Sequence, residues 1–119
     1  MKILYIHEDP SKNVLTELFF SQLGHECHSL ESLSQIKNWK TLTDDILLLD
    51  IPLPFLCSNN QLKKIGELES SSTKNVCLYE TTNREYFDRL TKAGIKHFFP
   101  KTNDFQKLLQ DLNFIHSNT

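Results

Sequence analysis

Glycine is scarce in this chain, three residues in 119, and none falls in the turn His7-Glu8-Asp9-Pro10 that closes the first apolar run. A loop that cradles phosphate through backbone N–H groups needs glycines and hydroxyls there, so a flavin-holding domain is a poor fit. Cysteine comes to three, Cys27, Cys57 and Cys77, odd in number and far apart. That argues against a disulfide framework and for a reducing, cytoplasmic setting. No apolar stretch approaches the ~20 residues that a membrane-crossing helix requires. Met1-Lys2-Ile3-Leu4-Tyr5-Ile6 is too brief for a signal peptide. A basic excess is missing too: 13 Lys+Arg against 15 Asp+Glu leave a net charge of −2. The electrostatic footprint of a nucleic-acid binder is therefore lacking. Repeats are absent, and Ser70-Ser71-Ser72-Thr73 is a polar connector, not a domain linker. With 39% hydrophobic and 24% charged residues, the chain reads as a single domain, 1–119, able to bury a core without metal or disulfide support.

Against these absences stands one segment, Asp45-Ile46-Leu47-Leu48-Leu49-Asp50, followed by Ile51-Pro52-Leu53-Pro54. An apolar run so short, bounded by charge on each side, predicts a strand over 46–50 buried on both faces, as inside a parallel sheet. In open α/β sheets ligands and chemistry gather at the carboxyl ends of such strands, and Asp50 has that address. Further strands are predicted at 3–6, 25–30, 76–79 and 97–99. Asp9 and Pro10 suit the start of a first helix. Val14, Leu15, Leu18, Phe19 and Leu23 recur along it at helical spacing, and Gly24 stops it. Leu33, Ile36 and Trp39 mark a short second helix, and Ser58-Asn59-Asn60 can cap a third bearing Leu62, Ile65 and Leu68. Tyr86, Phe87 and Leu90 mark a fourth that ends at Ala93-Gly94. Phe105, Leu108, Leu109 and Leu112 stripe a last one. Alternating βα units with short connections require right-handed crossovers. They predict an α/β fold: a flavodoxin-like, doubly wound five-stranded parallel sheet of order 2-1-3-4-5 with helices on both faces. Glu8, Asp50 and the residues after the last two strands then share one rim.

Three segments in that order, Lys-Ile-Leu-Tyr-Ile-His-Glu-Asp-Pro at 2–10, Asp-Ile-Leu-Leu-Leu-Asp-Ile-Pro-Leu-Pro at 45–54 and Ala-Gly-Ile-Lys-His-Phe-Phe-Pro-Lys at 93–101, carry a likeness. The chain resembles the receiver domain of two-component response regulators over essentially its whole length. The resemblance implies a signalling domain and not an enzyme: Asp50 accepts a phosphoryl group from a sensor histidine kinase or phosphotransfer protein, and a protein-interaction surface switches. It implies Mg²⁺ held by Glu8, Asp50 and the carbonyl of Pro52, with Lys101 paired to the phosphoryl oxygens. An effector domain or a second copy is the implied downstream partner, with no direct role for nucleic acid or membrane. The chemistry is sound. A carboxylate attacks phosphorus once the developing charge is neutralised, and a hard cation prefers oxygen ligands.

The departures from the family pattern are informative. His7-Glu8 stands where the family usually has two acids, and both changes weaken a Mg²⁺ site, since the ion tolerates little distortion of its octahedron. The slot after the fourth strand, normally a serine or threonine, holds Glu80 in one register and Thr81 in the next. Phe98 lacks the hydroxyl of the common switch tyrosine, Thr102 replaces a proline, and Phe55 and Ser58 replace glycines. A second function therefore stands beside the first: a pseudo-receiver acting as an unswitched dimerisation or docking module. For each residue there is also a plain structural reading. Asp50 can cap the next turn, Glu8 can be a solvated loop acid, and Lys101 a surface lysine. His25-Glu26-Cys27-His28 contains metal-ligand residue types, but strand alternation separates Cys27 from His28, and Cys27 reads as a small core residue.

Overall fold

The computed structural model describes residues 1–37, 42–67 and 72–117. In chain order its elements are β1 (Lys2–Ile6), α1 (Pro10–Gln22), β2 (Glu26–Leu30), a 3₁₀ turn (Leu33–Gln35), β3 (Ile46–Leu49), α2 (Leu53–Leu56), α3 (Asn59–Gly66), β4 (Lys74–Tyr79), α4 (Arg84–Lys92), β5 (His97–Pro100) and α5 (Phe105–Ser117). The strands form one sheet of order β2-β1-β3-β4-β5, all neighbours parallel. This is the doubly wound arrangement expected from the alternation of apolar runs and amphipathic segments. The register sets Ile3 beside Ile46 and Ile6 beside Leu49.

Strand alternation divides the core into two layers. Leu4, Ile6, Leu47, Leu49 and Cys77 pack with Leu53, Leu56, Ile65 and Leu90 on one face. Ile3, Tyr5, Ile46, Leu48, Val76 and Leu78 pack with Phe20, Leu108, Leu112 and Ile115 on the other. β3 is buried along its full length, which is why its sequence shows no polar alternation.

Local signals set most boundaries. Asp9 caps α1 by accepting the Ser11 N–H at 2.9 Å, with Pro10 in the first turn. Gly24 and Gly94, both at positive φ, follow the ends of α1 and α4. Three expectations need correcting. The segment with Leu33 and Ile36 forms a 3₁₀ turn, and Trp39, like Leu68, lies outside the described residues. The proline-containing segment after Asp50 holds a short helix, α2, with Leu53 and Leu56 buried. Most consequential is α1, whose inward residues are Asn13, Thr16 and Phe20. Val14 (62%), Leu15 (57%) and Leu18 (52%) face outward instead. The inner face near the rim is needed for polar work: Asn13 Nδ2 donates to the His7 carbonyl at 2.9 Å.

Candidate functional site

The backbone fixes where the rim residues sit. Asp50 follows β3 directly, and its N–H donates to the Ile6 carbonyl at 3.0 Å. The His7 N–H donates to Leu30 at 3.1 Å, and the Lys101 N–H to Tyr79 at 2.7 Å. These bonds prolong the sheet ladders by one step and bring residues from all five strand ends to one edge. Strand alternation then puts Tyr5, His7 and Asp50 on the same side, with the Tyr5 and His7 rings stacked at 6.0 Å and nearly parallel.

Asp50 is 4% exposed. A carboxylate so buried needs partners, and it has them. Lys101 Nζ lies 3.3 Å from Oδ1. The Tyr5 hydroxyl donates to Oδ2 at 2.5 Å, the short contact expected of an O–H meeting an anionic oxygen. His7 Nε2 stands 3.9 Å from the same Oδ2. Burial, reinforced by the bond to Asp50, pushes the Tyr5 phenol well above its ordinary range, so Tyr5 is a fixed donor. Sequence reasoning missed Tyr5. In an apolar strand it reads as core, and only the pairing of β1 with β3 reveals its partner.

Above this cluster opens a cavity of about 240 Å³. Its walls include Glu8, Asp50, Pro52 and Lys101, together with His7, Leu33, Ile51 and Phe55. Four of the residues singled out from sequence thus share one concavity at the carboxyl edge of the sheet. Thr81 is not among them. Its hydroxyl accepts the Asn83 N–H at 3.4 Å, in the turn that precedes α4. Glu80 is exposed and lines a separate cleft with Tyr79, Thr102 and, again, Lys101.

The donor set does not fit a hard divalent cation. One Asp50 oxygen faces an ammonium and the other a phenol hydroxyl. The Pro52 carbonyl already accepts the N–H groups of Phe55 at 3.0 Å and Leu56 at 3.2 Å as α2 begins. Among the described residues no three His, Cys, Asp or Glu side chains are grouped to hold a metal. An octahedral ion with short oxygen contacts would have to displace several of these bonds at once. The thiols lie apart from this chemistry: burial pushes Cys27 and Cys77 up to about 12 and raises Cys57.

No protein-family model and no curated protein matches the sequence. Solved structures do match in shape. A response regulator from Thermotoga maritima superposes with a TM-score of 0.76 at 14% identity, over 98% of each chain. The BeF₃-activated N-terminal receiver domain of Klebsiella pneumoniae RstA gives 0.76 at 18% identity, over 100% of each. The non-phosphorylated HemR receiver domain of Leptospira biflexa gives 0.75 at 16%, over 99% of this chain and 95% of that one. This chain has the fold of response-regulator receiver domains.

Proposed function

We propose that the chain is a phosphoryl-accepting receiver, a single domain over 1–119, in which Asp50 takes a phosphoryl group from a histidine kinase or phosphotransfer protein. The observation that carries this reading is the Asp50–Lys101 pair, 3.3 Å apart, at the floor of a cavity on the carboxyl edge of the sheet. An Asp50 oxygen attacks phosphorus, an acyl-phosphate bond forms, and the donor's P–N bond breaks with its electron pair leaving on nitrogen. Lys101 then moves from the carboxylate to the phosphoryl oxygens. Because Lys101 also lines the cleft with Glu80 and Thr102, that movement reaches the loop between β4 and α4, where Thr81 sits. The consequence is a changed docking surface for an effector domain or a second copy of the chain.

The test is intact-mass spectrometry after incubation with acetyl phosphate or phosphoramidate. One phosphoryl adduct is expected in the natural sequence and none in Asp50→Asn. An unmodified protein with both donors would sink this reading.

One specific observation favours a second reading. Tyr5 and Lys101 already engage both Asp50 oxygens, so the cluster is complete as a structural polar network. On that reading the domain is an unswitched docking module, and Asp50→Asn leaves its affinity for a partner unchanged. An affinity that responds to phosphorylation excludes it.

A further inference from the structure

His7 occupies the place where the family pattern has an acid, and its ring is held from several directions. It stacks on Tyr5, and its Nδ1 accepts the Asp9 N–H at 2.9 Å. Its own carbonyl accepts Asn13 Nδ2, and its N–H is bonded to Leu30. An imidazole nitrogen that accepts a backbone N–H has its lone pair in use, so the neutral ring carries its proton on Nε2. That N–H is the atom facing Asp50, at 3.9 Å from Oδ2.

This distance is too long for a hydrogen bond to the carboxylate itself. It suits a donor waiting for a group larger than the carboxylate. Lys101 flanks the other oxygen, and both donors line the same cavity. Glu8 and Glu31 also line it, but both are exposed at the surface, where solvent and salt screen their charge. A phosphoryl group in transfer spreads negative charge over three oxygens, and catalysis consists of meeting that charge with fixed donors. Of the oxygen ligands the resemblance implies for a cation, both Asp50 oxygens and the Pro52 carbonyl are already engaged and Glu8 is exposed at the surface. The His7 and Lys101 donors, in contrast, flank Asp50.

We infer that Asp50 accepts phosphoryl groups without a divalent cation, His7 Nε2–H and Lys101 Nζ together stabilising the charge on the phosphoryl oxygens. The inference rests on the phosphoryl-acceptor reading above and specifies its chemistry. With phosphoramidate as donor, the new bond is Asp50 oxygen to phosphorus, and the P–N bond breaks as ammonia leaves with the electron pair. No redox partner is involved.

The experiment labels the full chain with phosphoramidate in two arms, excess Mg²⁺ and excess EDTA, and follows the adduct by intact mass. Equal rates in both arms are expected. His7→Ala should slow labelling in both by about a hundredfold, the usual loss when one charge-stabilising donor is removed. His7→Asp restores an acid and should make labelling depend on Mg²⁺, a rescue that a misfolded variant cannot produce. Calorimetric titration of the natural sequence with Mg²⁺ should give no saturable heat. Labelling of the natural sequence confined to the Mg²⁺ arm, or saturable Mg²⁺ binding lost in Asp50→Asn, overturns the inference while the acceptor reading stands. An adduct in neither arm overturns the acceptor reading itself.

Discussion

Tyr5 is the residue on which the electrostatics of the site turn. Its hydroxyl is buried and donates to Asp50, 45 positions away in sequence. Removing the hydroxyl leaves a buried carboxylate oxygen with one donor fewer, a loss of about 1–3 kcal/mol. Tyr5→Phe is therefore expected to lower the urea midpoint with an unchanged slope, measured by far-UV circular dichroism. Lys101 and Pro52 came from the family resemblance alone, whereas the rim positions of Glu8 and Asp50 could be read from sequence because acids closing apolar strands carry an address. Tyr5 could not, since a phenol inside Ile3-Leu4-Tyr5-Ile6 has the signature of core. Thr81 was harder to place: a short polar loop has no periodicity to fix its register, and its hydroxyl accepts from Asn83 in the turn before α4.

Among the elements, α1 departs furthest from its pattern. Five apolar residues at helical spacing predict an inward stripe, yet the helix rolls so that Asn13, Thr16 and Phe20 are its buried residues, with Phe19 only partly buried against the core. Periodicity reports that a helix has two unlike faces; which one turns inward depends on what the sheet presents. Here it presents the His7 carbonyl, which takes Asn13 as its donor. The expected outcome is a contrast. Leu15→Gln should change stability by no more than about 0.5 kcal/mol, as for an ordinary surface position. Phe20→Ala should cost about 3–5 kcal/mol through the cavity it leaves. Thermal melts of the two variants beside the natural sequence test this, and a large loss in Leu15→Gln would mean that α1 packs the other way round. β2, Glu-Cys-His-Ser-Leu, carries no apolar run, whereas β1, β3, β4 and β5 were legible to within two residues because each contains a short apolar run closed by a polar or proline residue. α2 was not, since Pro52 and Pro54 read as a loop although prolines are well accommodated in a first helical turn.

At the scale of the whole molecule, a pH dependence of stability is expected from histidines whose protonation the fold disfavours. Burial, followed by the nearby Lys74 and Lys96 ammonium groups, holds the His97 imidazole below its usual value of 6.5. Burial lowers His25 as well. Such a group binds its proton more readily in the unfolded chain. Its contribution to stability is complete above about pH 6.5 and is lost progressively as pH falls below it. The thermal midpoint should accordingly drop on mild acidification, and His97→Gln should flatten that drop. A midpoint equally steep in the variant would assign the acid sensitivity to other groups.

The alternation that sets Tyr5, His7 and Asp50 on one side of the sheet has a corollary for how this gene can drift. Deleting or inserting a single codon within Lys2–Ile6 would exchange the two layers, sending the tyrosine and the histidine to one and Leu4 and Ile6 to the other. Site and core would be lost in the same stroke. In the first strand, then, length is held as tightly as the identity of Tyr5.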